Sequence, residues 1–372
     1  MCQIIYDCPM HVPFVELKSQ YQLIKSEIDE AMANVIAEGH YVGGAVVSRF
    51  ESDFAKYVGV NYCISCGNGT DALEIALQAL EIGSGDEVIV PAMSWISTAE
   101  VVSTVGAKPI FADILPDCYT IDPTDIVQKI TAKTKAIIPV HFYGRPAQMD
   151  EITDVAKNHN LKIVEDCAQA HGAKYNGKSV GTFGDLGTFS FYPSKNLGAF
   201  GDAGGIVTND DSLAKSCRLI GNHGQEQKHH HLREGRNSRM DALQAAVLQV
   251  KLKYLEEWTA ARTSKAKYYN EQLAGLPVEL PVLAEHHRHV FHVYAIQVND
   301  RDQLKRKLAE RGVDTQIHNP LSLPELLPYQ QFDANDFPVA KAMAAKTLSL
   351  PIYPEITQKQ QDHVVAMLKE LL

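Results

Sequence analysis

The chain has 372 residues, a formal net charge of −10, a sequence pI near 5.8, and 45% hydrophobic and 22% charged residues. That length allows two domains with proper cores, and the apolar share excludes disorder over most of the chain. Acidity disfavours nucleic acid and anionic membranes as partners; with no apolar run long enough to span a membrane and no secretory pattern at the amino terminus, a soluble cytoplasmic protein is expected.

From near Phe14, residues Leu17, Tyr21, Ile24, Ile28, Met32 and Ile36 recur at three- and four-residue steps. This predicts one amphipathic helix stopped by Gly39. Between 62 and 208, short apolar runs alternate with helical segments. The runs cover 62–65, 88–90, 109–112, 136–140, 162–164, 186–191 and 205–208; the helices cover 70–80, 96–105, 125–130 and 149–158. Such alternation predicts an α/β fold with a mostly parallel sheet covered by helices. A long helix over 239–273 then leads into a smaller α+β unit built from 292–298, 302–311, 313–317 and 358–371. The expected division is a large domain over 1–250 and a small one over 251–372.

Cysteines stand at 2, 8, 63, 66, 118, 167 and 217, an odd number without a regular framework. Cys63-Ile64-Ser65-Cys66 spells C-x-x-C, yet it lies in a strand-like run and no second pair completes a zinc site. Reduced, buried thiols are expected, and no metal.

Gly67-Asn68-Gly69-Thr70-Asp71-Ala72 follows a strand and opens a helix, matching the dinucleotide pattern G-x-G-x-x-G/A. A dehydrogenase would also need a carboxylate at the far end of the next strand. Here Asp86 and Glu87 stand at its near end. What survives is a phosphate cradle, with glycines allowing close approach and helix N–H groups attracting an anion. Three further features converge on that turn. Asp166 closes an apolar strand where α/β sheets present ligands. The run 189–195 empties a strand into a turn that presents Lys195. Trp95, one of two tryptophans, follows the strand at 88–90. Together they meet the needs of pyridoxal phosphate (PLP): an amine, a carboxylate against the ring nitrogen, a flat stacking partner and a phosphate site.

The motifs at 66–73, 165–172 (Glu-Asp-Cys-Ala-Gln-Ala-His-Gly), 189–198 with Gly201-Asp202-Ala203-Gly204, and Asn237-Ser238-Arg239-Met240-Asp241 resemble the DegT/DnrJ/EryC1/StrS sugar aminotransferases. The resemblance runs from about Pro13 to Leu350-Pro351. It implies the PLP-dependent transferase fold of type I (aspartate aminotransferase-like) and a homodimer with shared active sites. It further implies that Lys195 is the Schiff-base lysine and proton carrier, that Asp166 pairs with the pyridine nitrogen, and that Gln169 approaches the ring hydroxyl side. Gly69, Thr70 and Ser190 would bind the phosphate, Asn237 would reach the neighbouring subunit's phosphate, and Trp95 would stack on the ring. Some relatives carry histidine in place of the lysine and are dehydratases; Lys195 argues against that here.

The expected reaction moves an amino group from L-glutamate to C3 of a nucleotide-linked keto sugar, foremost a dTDP-3-keto-6-deoxyhexose. A UDP-3-keto-N-acetylglucosaminuronate and a 4-keto nucleotide sugar are the alternatives, with a non-catalytic regulatory relative as the rival from another class. A sugar nucleotide carries two phosphate charges, and the segment 223–239 is locally basic: Lys228, Arg233, Arg236 and Arg239 against Glu226 and Glu234. Arg239 and His318 are the expected substrate anchors. Relatives often have Tyr after that histidine, whereas this chain has Asn319. The run His229–His231 reads as a solvated loop, and His286, His287, His289 and His292 as structural or exposed.

Overall fold

A computed structural model describes residues 10–283 and 286–372. Its central sheet has seven strands: β1 (Tyr62–Cys66), β2 (Glu87–Pro91), β3 (Lys108–Ala112), β4 (Thr134–Ile137), β5 (Lys162–Asp166), β6 (Leu186–Ser190) and β7 (Gly204–Thr208). Their spatial order is β1-β7-β6-β5-β4-β2-β3. Neighbours from β6 to β3 run parallel, whereas β7 is antiparallel to both β6 and β1.

The helices follow as α1 (Leu17–Leu23), α2 (Lys25–Glu38), α3 (Gly44–Val58), α4 (Gly69–Ala79), α5 (Ser97–Thr104), α6 (Pro123–Lys129), α7 (Met149–His159), α8 (Asp211–Gly221), α9 (Ala242–Leu252) and α10 (Leu255–Leu273). The sheet is covered on both faces because its strands carry apolar side chains on both. Val88, Val90, Val164 and Leu186 pack with α4, α5 and α8. Ile89, Ile137 and Ile163 point the other way, onto α6 and α7. Phe189 and Val207 meet α3 and α9 on that second side. Period-two alternation in a doubly covered sheet has this result.

A separate core gathers Tyr269 and Leu273 of α10, strands β8 (Tyr294–Gln297) and β9 (Thr347–Leu350), and helices α11 (Arg301–Glu310) and α13 (Gln358–Leu371), with α12 (Pro338–Lys346) between them in the chain. β8 and β9 pair antiparallel. Val12 joins this core and bridges Val313, so the chain's first described segment is bound to its last third.

Two predicted helices are each divided in the structure. The first is interrupted at Ile24, whose φ of −119° lies off the helical region; Glu16 caps the first piece by accepting from Lys18 and Ser19 N–H, and Gly39 ends the second in the left-handed conformation. The segment 239–273 also splits, because Lys253 and Tyr254 turn tightly between α9 and α10, and Arg239 and Met240 precede the helix. β4 stops at Ile137 rather than 140, since Pro139 lacks an N–H; its carbonyl instead accepts from Asp166 N–H at 2.9 Å. Cys63, Cys66, Cys118, Cys167 and Cys217 are free and buried, and burial raises the pKa of each thiol. Cys2 and Cys8 lie outside the described residues.

Candidate active site

The Gly-rich turn opens α4 at the edge of the sheet. Asn68 caps the helix, its side-chain oxygen accepting from Asp71 N–H at 2.8 Å. Helix geometry leaves the N–H groups of Gly69 and Thr70 without intrahelical partners, so the positive end of α4 is available to an anion. Ser190, at the end of β6, stands directly opposite. A Cβ added to Gly69 would sit 2.7 Å from the Ser190 Cβ, closer than any relaxed contact. Glycine is required here by proximity rather than by an unusual φ. The turn is no dinucleotide site: β1, which feeds it, is an edge strand antiparallel to its only neighbour, whereas a dinucleotide-binding unit needs parallel strands on either side of the helix.

Asp166 closes β5 and is 5% exposed. Its carboxylate accepts from Thr98 Oγ1 at 2.9 Å and from Ala168 N–H at 3.1 Å. Burial raises its pKa, while the two hydrogen bonds and the charge of Lys195 oppose that rise. Lys195 is displaced in the opposite sense. Desolvation lowers its amine to about 8, with the Asp166 charge pulling it back up. The mutual influence of the two groups puts amine and carboxylate in one site. The turn presenting Lys195 is itself bound: Lys195 N–H donates to Tyr192 O at 2.8 Å, and Asn196 Nδ2 donates to Val290 O at 3.0 Å.

The remaining expected residues divide into two groups. Thr70 Oγ1 lies 2.7 Å from Ser97 Oγ, tying α4 to α5. Gln169 accepts from Tyr143 N–H at 2.7 Å. The Tyr143 ring stands 6.4 Å from His318, which is held by Ser349 Oγ at 2.9 Å and which burial and nearby Lys195 bring down to about 4. Trp95, just ahead of α5, is 65% exposed, which is unusual for a tryptophan and leaves its ring face available. Gly69, Thr70, Trp95, Asp166, Gln169, Ser190, Lys195 and His318 are thus linked through neighbours into one constellation. Asn237 and Arg239 stand apart with exposed side chains; among the described residues Arg239 has one side-chain partner, Asn222 Oδ1 at 3.5 Å.

The basic segment is less free than its composition suggests. Arg236 is engaged by Asp71 and Glu74, and Ser238 Oγ donates to Asp71 at 2.6 Å while accepting from Gly67 N–H at 2.9 Å. Arg236 therefore fastens the segment to α4, leaving Lys228, Arg233 and Arg239 as its cations without a carboxylate partner among the described residues. His292 takes the structural form of its expectation. Its Nδ1 lies 3.2 Å from Asn196 Oδ1, beside the Lys195 turn, and burial with Lys195 and Arg262 nearby holds it well below the usual imidazole range. His289 and His287 are structural, stacked on Phe291 and Tyr175.

Sequence reasoning missed Ser94, Ser97 and Thr98. Their signal was legible: three hydroxyls surround Trp95 in Ser94-Trp95-Ile96-Ser97-Thr98, just where a strand yields to a helix. His141, Glu165 and Cys167 lie close enough to suggest a metal site, but the lone pairs of His141 and Glu165 are committed, and Cys167 Sγ donates to Glu165 O. Ala147 N–H donates to His141 Nδ1, so the ring proton is on Nε2 and donates to Glu165 at 3.0 Å. Glu165 also accepts from the N–H groups of Gly181, Phe183 and Gly184.

Residues 22–369 match the model of the DegT/DnrJ/EryC1/StrS aminotransferase family. The chain belongs to this family. It is a PLP-dependent aminotransferase with the type I transferase fold. It is 43% identical over 366 residues to the pleiotropic regulatory protein of Geobacillus stearothermophilus, covering 97% of this chain and 98% of the relative. Identity to the dTDP-3-amino-3,6-dideoxy-alpha-D-galactopyranose transaminase of Aneurinibacillus thermoaerophilus is 42% over 354 residues, covering 95% and 98%. The crystal structure of S. venezuelae DesV in complex with ketimine intermediate superposes with a TM-score of 0.95 at 41% identity, covering 97% of this chain and 98% of that one. Relatives of this family member act on nucleotide-linked sugars.

The constellation fits the cofactor on its own chemistry. The close approach of Gly69 to Ser190, where an added Cβ would stand 3.2 Å from Ser190 Oγ, sets a helix N-terminus and a serine hydroxyl side by side, as a phosphate site requires. A lysine with a lowered pKa and a buried carboxylate complete the donor set.

Proposed function

We propose that this enzyme transfers an amino group from L-glutamate to C3 of a nucleotide-linked keto sugar, foremost a dTDP-3-keto-6-deoxyhexose. The observation that carries the reading is the joining of Lys195, Asp166 and the Gly69–Ser190 cradle in one buried site. PLP, when bound, supplies an electron sink for the carbanion formed next to the migrating nitrogen. Lys195, its amine lowered to about 8 so that a useful fraction is neutral near physiological pH, would hold the cofactor through its side-chain nitrogen and would serve as the proton carrier of the transfer. Asp166 keeps the ring nitrogen protonated. The α4 N-terminus, Thr70 and Ser190 hold the phosphate, Gln169 faces the ring hydroxyl side, and Trp95 covers the ring and excludes water from one face.

His318 and Arg239 receive the sugar nucleotide. The exposed position of Arg239 and Asn237 supports a homodimer in which this segment serves the neighbouring subunit, with Asn237 directed to its cofactor phosphate. Five unpaired, buried cysteines support a reducing, cytoplasmic setting. The test is turnover with L-glutamate against a panel of dTDP- and UDP-linked 3-keto and 4-keto sugars, following product mass. Amination confined to 4-keto sugars would refute the regiochemistry; a protein that stays colourless with added PLP would refute the site.

A further inference from the structure

A chain of polar contacts crosses from the small C-terminal unit to the base of the site, where it ends on Asp166. Asn319 has a φ of +55°, in the left-handed region where asparagine is among the few tolerated side chains. Its Nδ2 donates to the carbonyl of Ser94 at 2.6 Å. The Ser94 hydroxyl lies 2.7 Å from that of Thr98, and Thr98 donates to Asp166 at 2.9 Å. Ser94 is 2% exposed and Thr98 is 0% exposed, so water does not compete along this path. Proton accounting orients it. An ionised carboxylate only accepts, so the single Thr98 proton points at Asp166, and Ser94 must donate to Thr98. Leu323 N–H donates to Ala92 O at 2.8 Å, a second tie between the same two segments. His318, next to Asn319, stands on the wall that faces Lys195.

We propose that Asn319, Ser94 and Thr98 are positioning residues that couple the small unit's substrate-facing wall to the Asp166 carboxylate, so that seating this wall and aiming the carboxylate are one event. The proposal rests on the reading of Asp166 as the partner of the ring nitrogen. Physical necessity supports it. Asp166 is buried with only two hydrogen bonds, and the charged or titratable groups facing it are Lys195 and His141. Loss of the Thr98 proton removes one of these two bonds. Asn319, by holding the Ser94 backbone, sets where the Ser94 hydroxyl meets Thr98. The left-handed backbone at Asn319 is the kind of local strain that persists where surrounding contacts impose it.

A double-mutant cycle tests the coupling, with PLP affinity of the apoprotein and the pH profile of the visible band of the loaded protein as readouts. Thr98→Val should weaken PLP by about 10-fold, the usual effect of a lost hydrogen bond to a charged group, and should shift the pH profile; Thr98→Ser should restore both. Asn319→Gly keeps the backbone conformation and should shift the profile in the same direction by a smaller amount. The double variant should lose less than the product of the single losses, because Asn319 acts through Thr98. Effects that simply multiply, or a profile unmoved by Asn319→Gly, overturn the proposal. Asn319→Asp, which removes the donor without altering backbone preference, replaces the glycine variant if that variant melts early. Asp166→Ala separates the two readings. If it retains PLP like the unmodified protein, the role of Asp166 is wrong; if it loses PLP while the Thr98 and Asn319 variants are silent, only the coupling is wrong.

Discussion

Gly69→Ala isolates the phosphate cradle from everything else at the site. The added Cβ would lie 2.7 Å from Ser190 Cβ and 3.2 Å from Ser190 Cα, so the obstacle includes main chain, which cannot rotate away. Ordinary van der Waals contact begins near 3.4 Å, so the start of α4 must retreat from β6 by about 0.7 Å. A hydrogen bond of about 2.9 Å between the helix N-terminus and a phosphate would then stretch to about 3.6 Å, beyond useful range. One lost charge-assisted bond is worth about 1.5–3 kcal/mol, or roughly 10- to 100-fold in PLP affinity. Overpacking costs stability by about 1–3 kcal/mol, partly offset by the better helix propensity of alanine, worth up to about 1 kcal/mol. The assay is a PLP titration of the apoprotein beside a thermal melt. Gly83→Ala is the control, since its Cβ would meet nothing nearer than Val105 O at 3.5 Å and its φ is unexceptional. If Gly69→Ala binds PLP as tightly as the control does, phosphate does not sit between α4 and Ser190, and the cradle argument fails.

Three other outcomes follow from the geometry. With Lys195 near 8, cofactor capture by the apoprotein should accelerate as pH rises towards 8 and level off above it, because the neutral amine is the reacting form; stopped-flow absorbance reads this, and Asp166→Asn should move the midpoint lower by removing the charge that raises it. Glu165→Gln should cost about 2–4 kcal/mol in a denaturant melt, since an amide offers one oxygen where three backbone N–H groups and His141 now donate to two. Arg236→Met should raise KM for the nucleotide sugar several-fold while changing kcat little, because it loosens the Arg239 segment, leaving Ser238 to hold it to Asp71, without touching Lys195; an equal loss in both would contradict this.

Much of the sheet was readable because its strands are short, apolar and bounded by turns; 108–112 and 204–208 lie within a residue of the predicted runs. Helix breaks were not, since Ile24 and Lys253 carry no glycine or proline and the interruptions follow from what each piece packs against. Strand direction also stayed hidden: nothing local in 204–208 marks it as antiparallel. At the site, Asp166 stood out because it ends a strand and Lys195 because it lies in the turn that follows one, where position alone suggests function. Thr98 was not, because a hydroxyl within a helix reads as ordinary until the strand carrying Asp166 is placed beside it. Arg236 was misread for the opposite reason: a charge seen in sequence is assumed free, and only tertiary packing reveals Asp71 and Glu74 beneath it.

The insertion of β7 between β1 and β6 has a consequence for the order of assembly. Cys66 pairs with Gly204, and Ser190 pairs with the same glycine from the other side. The Gly-rich turn and its opposing serine therefore come into register only when a strand that follows both, and lies far from β1 in the chain, is inserted between theirs. Closure over so long a loop is slow, and until it occurs β1 and β6 both present unpaired edges. A ribosome-bound chain ending before Gly204 would carry every residue of the cradle and yet have no cradle. Competence to hold an anion should appear in a single step as β7 emerges, which makes anion or cofactor capture a reporter of β7 insertion in this chain.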